Sequence, residues 1–188
     1  MDTANETAVA PGVRVVVMEP RGHINVGSIA RVMANFGFND LVLVSPADTD
    51  DDAGRGSRAA MGGLAVYNNR RVVATLGEAL EGCALVIGAT RRARGGETCV
   101  DFREAAAIAA RGAAASRIAL LLGRERNGLT REERSLCHIL AEIPSVPGPA
   151  GSLNISHAAA LFLCGIFTAP PDRENRPAAD MDALAAEF

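Results

Sequence analysis

Val13-Arg-Val-Val-Val-Met-Glu19 is a short run of mostly β-branched residues bounded by Pro and Gly. Such a run predicts a strand that is buried on both faces of a sheet. Asn25 can cap the helix that follows, which is expected to run to about residue 36 and to end at Gly37. Leu41-Val-Leu-Val44 is the next apolar strand. A strand, a helix and a second strand in this order favour two parallel strands.

The alternation of strands and helices continues along the chain. Further strands are expected at residues 71–74, 84–87, 117–122 and 138–143, and further helices at residues 57–61, 76–81, 102–111, 131–136 and 152–167. Roughly six strands alternating with helices predict an α/β fold, a mostly parallel sheet with helices on both faces. Ligands of such sheets bind at the carboxyl ends of the strands, so the loops after residues 19, 44, 87, 122 and 143 are the candidate binding loops.

Length and composition indicate a single folded domain. The chain has 188 residues, of which 48% are hydrophobic and 22% are charged. Its longest apolar stretch, residues 158–167, is too short to cross a bilayer, and its N-terminus does not resemble a secretory signal. We therefore expect a cytoplasmic protein with no membrane partner. We expect a disordered tail at residues 1–12, the domain at residues 13–168 and a short C-terminal tail at residues 169–188.

Several common enzyme classes lack their sequence signatures here. All 19 basic residues are arginine, and neither a P-loop nor a G-x-G-x-x-G string occurs. His23, His138 and His157 have no nearby nucleophile and acid in triad order, and a hydrogen-bonded structural role is the commoner state for His23 and His157. The four cysteines form no C-x-x-C pair, so we expect reduced, mostly core-filling thiols and no metal site. Glu132-Glu133 is expected to be the solvated first turn of a helix.

Three clusters of unusual residues remain. They are Asn25-Val-Gly-Ser-Ile-Ala-Arg31 with Asn35-Phe-Gly37, then Leu121-Leu-Gly-Arg-Glu-Arg-Asn-Gly-Leu129, and finally Ile143-Pro followed by Ser152-Leu-Asn-Ile-Ser156. Together they resemble the motifs of the SPOUT superfamily of RNA methyltransferases, in its SpoU/TrmH branch. Those motifs run N-x-G-[AS]-x-x-R, then [FL]-G-x-E-x-x-G-L, then I-P with a following S-L-N-x-[AS]. The resemblance covers residue 13 to about residue 167.

The resemblance implies a knotted fold and a cofactor. In this branch the C-terminal segment is threaded through a loop as a trefoil knot, and S-adenosylmethionine binds inside it. At the matching positions, the implied cofactor-binding residues are Ala89, Thr90, Arg91, Gly123, Glu125, Ile143, Gly151, Ser152, Leu153 and Asn154. Simpler interpretations are open for some of them. Residues 144–151 can be a flexible connector, Ser152 or Asn154 an ordinary helix cap, and Glu125 a surface acid.

The resemblance assigns catalysis to Arg31, with Asn25 and Ser152 in support. A ribose hydroxyl is a very weak acid, so its methylation needs a base or a group that stabilises the developing alkoxide. Arginine is effectively always protonated, which favours orientation and charge stabilisation over deprotonation. Without the resemblance, Arg31 is a solvated residue or a salt-bridge partner.

Arginine clusters predict where RNA binds. Arg92 and Arg94 follow the fourth predicted strand, and Arg124 and Arg126 are further expected contacts to RNA phosphates, although a solvated charge run is the alternative. The net charge of −3 argues against non-specific binding of polyanions. We also expect a homodimer that forms through the apolar last helix. In the family, the neighbouring subunit supplies the catalytic arginine.

Local features favour a tRNA substrate. Gly123-Arg-Glu-Arg-Asn-Gly-Leu-Thr130, the pair Cys137-His138 and Ala89-Thr-Arg-Arg-Ala-Arg94 resemble the branch members that methylate the ribose 2′-hydroxyl of tRNA nucleotide 32, a cytidine or uridine of the anticodon loop. The loop Pro147-Gly-Pro-Ala-Gly151 departs from the Asn-Pro-containing segment that is common in the family. Two alternatives are a ribosomal RNA 2′-O-methyltransferase and a cofactor-binding RNA protein without catalysis. The presence of Arg31, Asn25 and Ser152 favours an enzyme.

Overall fold

The computed structural model describes residues 12–48, 51, 54–148 and 151–170. Seven strands lie in these ranges: β1 (Val13–Met18), β2 (Asp40–Val44), β3 (Arg71–Val73), β4 (Leu85–Thr90), β5 (Val100–Asp101), β6 (Ile118–Leu122) and β7 (Ile139–Glu142). The helices are α1 (His23–Asn35), α2 (Arg55–Ala60), α3 (Leu64–Asn68), α4 (Leu76–Leu80), α5 (Phe102–Gly112), α6 (Arg131–Ser135) and α7 (Ile155–Thr168), with a 3-10 turn at Met61–Gly63. Most of the two predicted tails lies outside the described residues, so the domain boundaries stay predictions.

The strands form one sheet in the order β3-β2-β1-β6-β4-β7-β5, and every pair in it is parallel. The central strand β1 pairs with β2 on one side and with β6 on the other, so that Val15 lies opposite both Leu41 and Leu120. The predicted parallel α/β sheet is confirmed. The sequence predicts six of the seven strands. The strand that it misses, β5, has only two residues and is too short for hydrophobic periodicity to reveal.

Two apolar layers cover the two faces of the sheet. Val15 and Val17 belong to the larger core, which contains the buried sides of α1, α5 and α7. Val16 and Met18 belong to the smaller core on the opposite face, against which α4 packs. Because side chains alternate along a strand, the two sets point to opposite faces, and the predicted helices on both faces are confirmed. Of the cysteines, Cys83 and Cys137 are partly buried against the smaller core, as expected, whereas Cys164 is exposed.

The starts of two helices differ from the prediction. Helix α1 begins at His23, and its N-cap Gly22 makes no side-chain cap, so Asn25 lies inside the first turn and caps nothing. Helix α7 begins at Ile155 and is capped by Asn154, whose Oδ1 accepts a 2.8 Å hydrogen bond from the Ser156 amide. The predicted cap at Ser152 is therefore wrong, and the alternative at Asn154 is confirmed.

Two further findings concern the chain path. No helix within the described ranges is long and apolar enough to cross a membrane. The segment between β7 and α7, on which the predicted knot depends, includes residues 149 and 150, which lie outside the described residues. The knot therefore stays a prediction.

Candidate active site

A cavity of about 180 Å³ lies at the carboxyl edge of the sheet, where β6, β4 and β7 are neighbours. Its wall comes from three separate parts of the chain: the end of β4 with the loop after it, the turn after β6, and the segment from the end of β7 into α7. Parallel strands bring their carboxyl ends to one edge of the sheet, and this is why segments far apart in sequence meet there.

The cavity gathers nearly all of the predicted cofactor residues. Its lining includes Ala89, Thr90, Arg91, Gly123, Glu125, Ile143, Gly151, Ser152 and Leu153. It also includes three of the predicted RNA-binding arginines, Arg94, Arg124 and Arg126. The other predicted site residues, Asn25, Arg31, Arg92 and Asn154, do not line it. The structure thus brings the predicted positions together, and their binding roles stay predictions.

A chain of hydrogen bonds joins one polar residue from each of the three sequence clusters. Asn154 donates its side-chain amide to Asn25 Oδ1 at 2.9 Å, and Asn25 Nδ2 donates to Glu125 Oε1 at 3.2 Å. Glu125 Oε1 also accepts from the backbone amide of Arg21 at 3.3 Å. Asn25 therefore links α1 to both loops of the cavity, and this function replaces the helix cap that the sequence predicts.

Glycines allow two backbone segments to approach closely at the cavity wall. The turn after β6 closes on itself: the Arg124 amide donates to the Gly128 carbonyl at 3.2 Å, and the Gly128 amide donates back at 3.0 Å. A Cβ on Gly123 would lie 2.5 Å from the Leu129 amide nitrogen, so only glycine fits there. A Cβ on Gly151 would likewise collide with the Val146 carbonyl. Both predicted glycines are needed for the shape of the wall.

Arg124, which is predicted to contact RNA phosphate, lies at the base of the turn after β6 and is only partly exposed. Its guanidinium group lies between Glu19 and Glu133, and its side chain is 19% exposed. Two hydrogen bonds of 2.9 Å run from its two Nη atoms to the two carboxylate oxygens of Glu133. The hydrogen bonds to Glu19, followed by those to Glu133, raise the pKa of Arg124, and Arg124 in turn lowers the pKa of Glu19. Because the carboxylates of Glu19 and Glu133 occupy N–H groups on all three of its guanidinium nitrogens, Arg124 is not available to bind RNA phosphate in this conformation.

Glu133 corrects a second prediction. It was expected to be solvated with Glu132, yet it is buried, while Glu132 is exposed. Glu133 forms a capping box with Thr130: the Thr130 amide donates to Glu133 Oε2 at 2.8 Å, and the Glu133 amide donates to Thr130 Oγ1 at 3.2 Å. The T-x-x-E spacing is a sequence signal that could have identified this role.

Arg134 is a lining residue that sequence reasoning missed. Its side chain is 3% exposed and is paired with Glu97. It also donates to Thr90 Oγ1 at 2.6 Å and so touches a predicted cofactor residue. Four of the five residues of α6 are charged, which is typical of a surface helix, so composition and periodicity give no signal that Arg134 points inward.

The remaining predicted RNA-binding arginines lie on the surface around the cavity. Arg92, Arg94 and Arg126 are exposed. Arg91 is also exposed and donates to the Gly148 carbonyl at 2.7 Å, which connects the loop after β4 to the loop after β7. These side chains carry positive charge to the mouth of the cavity, as the sequence predicts.

Arg31 lies on α1, away from the cavity wall. It follows Asn25 by six residues, which places it about 9 Å further along the helix axis and about 120° around it. It is exposed, and its Nη1 lies 3.0 Å from Met61 Sδ. Met61 itself has a backbone φ of 41°. A single copy of the chain therefore does not place Arg31 in the cavity.

His23 has the structural role that was expected of it. Its Nδ1 lies 3.4 Å from the Tyr67 hydroxyl, and its Nε2 lies 3.4 Å from Asp48 Oδ2. It lies at the start of α1, and these contacts connect it to residues near β2 and in α3. His157, by contrast, is exposed on α7.

Comparison with known proteins identifies the family. The model of the SpoU rRNA Methylase family matches residues 12–164. The chain belongs to this family. The match begins just before β1 and ends within α7, so it spans the whole sheet and the cavity. The resemblance that the three sequence clusters indicate is confirmed.

Individual relatives support the family assignment. The chain is 36% identical over 177 residues to the tRNA (cytidine/uridine-2′-O-)-methyltransferase TrmJ of Yersinia enterocolitica, which covers 94% of this chain and 68% of that protein. The crystal structure of TrmJ from Z. mobilis superposes with a TM-score of 0.76, at 29% identity over 91% of this chain and 75% of the other. A structure of the SpoU methyltransferase AviRb from Streptomyces viridochromogenes in complex with AdoMet shares the fold, with a TM-score of 0.65, 24% identity, and coverage of 84% and 60%.

The curated relatives are longer than this chain. It spans between 60% and 70% of their length. The shared part is the family domain that contains the cavity.

Proposed function

We propose that this protein is an S-adenosylmethionine-dependent methyltransferase that methylates the ribose 2′-hydroxyl of a tRNA nucleotide, cytidine or uridine 32 of the anticodon loop. The observation that carries the proposal is the junction of the three clusters at one cavity. The hydrogen bonds from Asn154 to Asn25 and from Asn25 to Glu125 join them. TrmJ relatives that match most of the chain support the tRNA substrate.

The cavity fits a methyl donor with an adenosyl group and a sulfonium cation. Leu122, Leu129 and Leu153 provide apolar surface for an adenine ring, and the glycine turns expose backbone groups that can recognise its edge. Glu125 supplies a carboxylate at the wall, which favours a positive charge nearby. When bound, the donor supplies an electrophilic methyl group. We propose that the chain is knotted around this site, as the family resemblance implies.

The residues of the chain provide orientation and charge. We propose that Arg31 hydrogen-bonds the 2′-hydroxyl and stabilises the negative charge that develops on its oxygen during transfer. Asn25 and Ser152 support this arrangement: Asn25 fixes α1 against the two cavity loops, and Ser152 lines the cavity. A positioned guanidinium group needs no loss of its own proton for this role.

The distance of Arg31 from the cavity wall is explained by a homodimer. The outer face of α7 carries Leu161, which is 39% exposed, Cys164 and Phe167, and these residues follow the spacing of one helix face. We propose that this face packs against a second copy, so that Arg31 of each subunit serves the cavity of the other. A symmetric dimer also allows the two subunits to contact one RNA molecule with the same set of arginines, Arg91, Arg92, Arg94 and Arg126.

The decisive experiment measures methyl transfer and maps the product. Purified protein is incubated with labelled S-adenosylmethionine and either tRNA or ribosomal RNA, and the modified nucleotide is located by mass spectrometry. We expect incorporation into tRNA at ribose 32. Incorporation into ribosomal RNA alone would support the alternative substrate, and donor and RNA binding without any transfer would support a non-catalytic protein. A tRNA substrate also implies that the enzyme works in the cytoplasm.

A further inference from the structure

Arg134 anchors the loop that carries the arginines of the cavity mouth. From its place in α6, it donates through Nε to Glu97 Oε1 at 2.8 Å and through Nη2 to Glu97 Oε2. The same guanidinium group donates through Nη1 to Thr90 Oγ1 at 2.6 Å and through Nη2 to the Arg92 carbonyl at 3.3 Å. One buried side chain therefore holds both ends and the middle of residues 90–97, which we call the arginine loop.

The arginine loop has few other fixed contacts. Residues 91–96 are all exposed. Inside the loop, the Glu97 amide donates to the Arg94 carbonyl at 3.0 Å, and the Arg94 amide donates to Glu97 Oε2 at 2.9 Å. Apart from the bonds to Glu97, the described hydrogen bonds between residues 91–96 and the rest of the chain that do not involve Arg134 are two: Arg91 donates to the Gly148 carbonyl, and Thr90 Oγ1 donates to the Arg92 carbonyl at 3.1 Å. Arg134 and Glu97 thus provide most of the polar attachment of the loop.

Glu97 also balances charge at this place. Arg91, Arg92 and Arg94 are three like charges within four residues, and Arg134 lies beneath them as a fourth. Like charges this close repel each other, and the repulsion would favour an open, extended loop. The carboxylate of Glu97 accepts hydrogen bonds from both the Arg94 amide and Arg134, and its negative charge offsets this repulsion.

Arg134 is poorly suited to bind a ligand directly. Of its five N–H groups, four are used: one on Nε, one on Nη1 and two on Nη2. Its side chain is also almost fully buried. A guanidinium group in this state fixes its neighbours and has little capacity left for a phosphate.

We propose that Arg134 and Glu97 are positioning residues that hold the arginine loop in the conformation that receives RNA, with Arg92 and Arg94 directed at its phosphates. The inference rests on the proposed function for the identity of the ligand. The loop itself can be tested without RNA, because trypsin cleaves after arginine and needs a flexible segment to do so. Cleavage at Arg91, Arg92 and Arg94 therefore reports directly on whether the loop is held.

The experiment compares Glu97→Gln with the wild-type protein and with Glu104→Gln. Glu104 is exposed on α5 and takes no part in the pairing, so its variant removes the same charge elsewhere. Brief trypsin treatment followed by mass spectrometry gives the cleavage rate at the three loop arginines. Titration with unmodified tRNA and with S-adenosylmethionine gives two dissociation constants, and a melting curve verifies folding.

We expect Glu97→Gln to raise the cleavage rate of the loop about tenfold and to weaken tRNA binding about fivefold, because a charged hydrogen-bonded pair is lost. The affinity for S-adenosylmethionine should stay within about twofold, since the bond from Arg134 to Thr90 remains. Glu97→Asp should recover part of the tRNA affinity, and Glu104→Gln should match the wild type.

Two results would overturn the inference. Cleavage at the wild-type rate in Glu97→Gln would show that the pair does not hold the loop. Faster cleavage with unchanged tRNA affinity would show that the held conformation has no part in RNA binding. Failure of the proposed function has a different signature, because wild-type protein would then bind no tRNA while the cleavage rates still report on the loop.

Discussion

Asn154 and Asn25 meet side chain to side chain, 129 positions apart, with 2.9 Å between Asn154 Nδ2 and Asn25 Oδ1. Both amides have their orientation fixed by their other partners. Asn154 Oδ1 accepts from the Ser156 amide, which can only donate, so Nδ2 is free to face Asn25. The Glu125 carboxylate accepts from Asn25 Nδ2, which leaves Oδ1 as the acceptor for Asn154. The bridge therefore has one direction of donation through all three clusters.

Asn154 combines this bridge with a helix cap, and two variants separate the two roles. Asn154→Ala removes both, and we expect it to lower the free energy of unfolding by about 1 kcal/mol, a usual value for a lost cap. Asn154→Ser keeps a capping oxygen but is too short to reach Asn25, so its stability should stay near that of the wild type. Both variants should bind S-adenosylmethionine about fivefold more weakly, because the loop before α7 loses its link to α1.

Chemical denaturation measures the stability of these variants, and calorimetric titration measures the donor affinity. The Ser156→Ala variant serves as a control, since it removes a hydroxyl that donates to the same Asn154 oxygen while leaving the bridge in place. Donor binding at full strength in Asn154→Ser would show that the bridge does not shape the cavity.

Two adjacent glutamates provide a matched test of the Arg124 contact. Glu133→Gln replaces one of the oxygens that face Arg124 by an amide that cannot accept, and it removes the charge from a buried pair. We expect it to lower the free energy of unfolding by about 2 kcal/mol, since hydrogen bonds to charged groups contribute about this much. Glu132→Gln changes an exposed neighbour and should cost less than about 0.5 kcal/mol. Urea denaturation measures both, and equal stabilities of the two variants would contradict the assigned role of Glu133.

Local sequence features predict much of this fold. The β-branched run of β1 predicts a strand buried on both sides, and it is buried at all six positions. The glycine turn after β6 and the polar segment before α7 predict where the cavity lies. These predictions depend on periodicity and on backbone freedom, both of which are properties of short segments.

The misplaced residues are those whose partners are far away in sequence. Asparagine is a residue type that commonly caps helices, yet the two side-chain partners of Asn25 are 100 and 129 positions away in sequence. The local sequence predicts that Arg124 is a surface cation, whereas in the structure it pairs with Glu19, which lies 105 positions earlier. Arg134 reaches back 37 positions to Glu97. No local pattern contains such pairings, because they form only when the sheet brings its loops together.

Arg31 should be required for turnover and not for donor binding. If it stabilises developing charge on the ribose oxygen, Arg31→Ala should lower kcat by about 100-fold or more while the dissociation constant of S-adenosylmethionine stays within about twofold. Arg111→Ala removes an exposed arginine from α5 and serves as the control. A methyl-transfer assay with tRNA, together with calorimetric titration of the donor, measures both quantities. An Arg31→Ala enzyme that retains the full rate would remove Arg31 from the mechanism.

The pairing of Glu97 with Arg134 predicts a pH dependence. Hydrogen bonds from Arg134 lower the pKa of Glu97 from its ordinary value of 4.5 to about 2. A depressed carboxyl pKa means that the pair contributes fully above pH 4.5 and loses its contribution as the pH falls toward 2. At about pH 3.5 the ¹³C carboxyl resonance of Glu97 should still report an ionised group, whereas in Arg134→Met it should report a mostly protonated one. The same midpoint in both proteins would contradict the pairing.

Met61 has a backbone conformation that is unfavourable for a residue with a side chain. Its φ of 41° and ψ of −113° lie in a region that suits glycine and strains any other residue, while its side chain is 57% exposed and buries little. We expect Met61→Gly to raise the free energy of unfolding by about 1 kcal/mol, because relief of this strain outweighs the added freedom of the unfolded chain. Ala65→Gly, in the neighbouring helix α3, should instead lower it by about 1 kcal/mol, since glycine is unfavourable at an exposed helical position. Urea denaturation of the two variants should therefore give shifts of opposite sign, and a loss of stability in both would show that the conformation of Met61 is not strained.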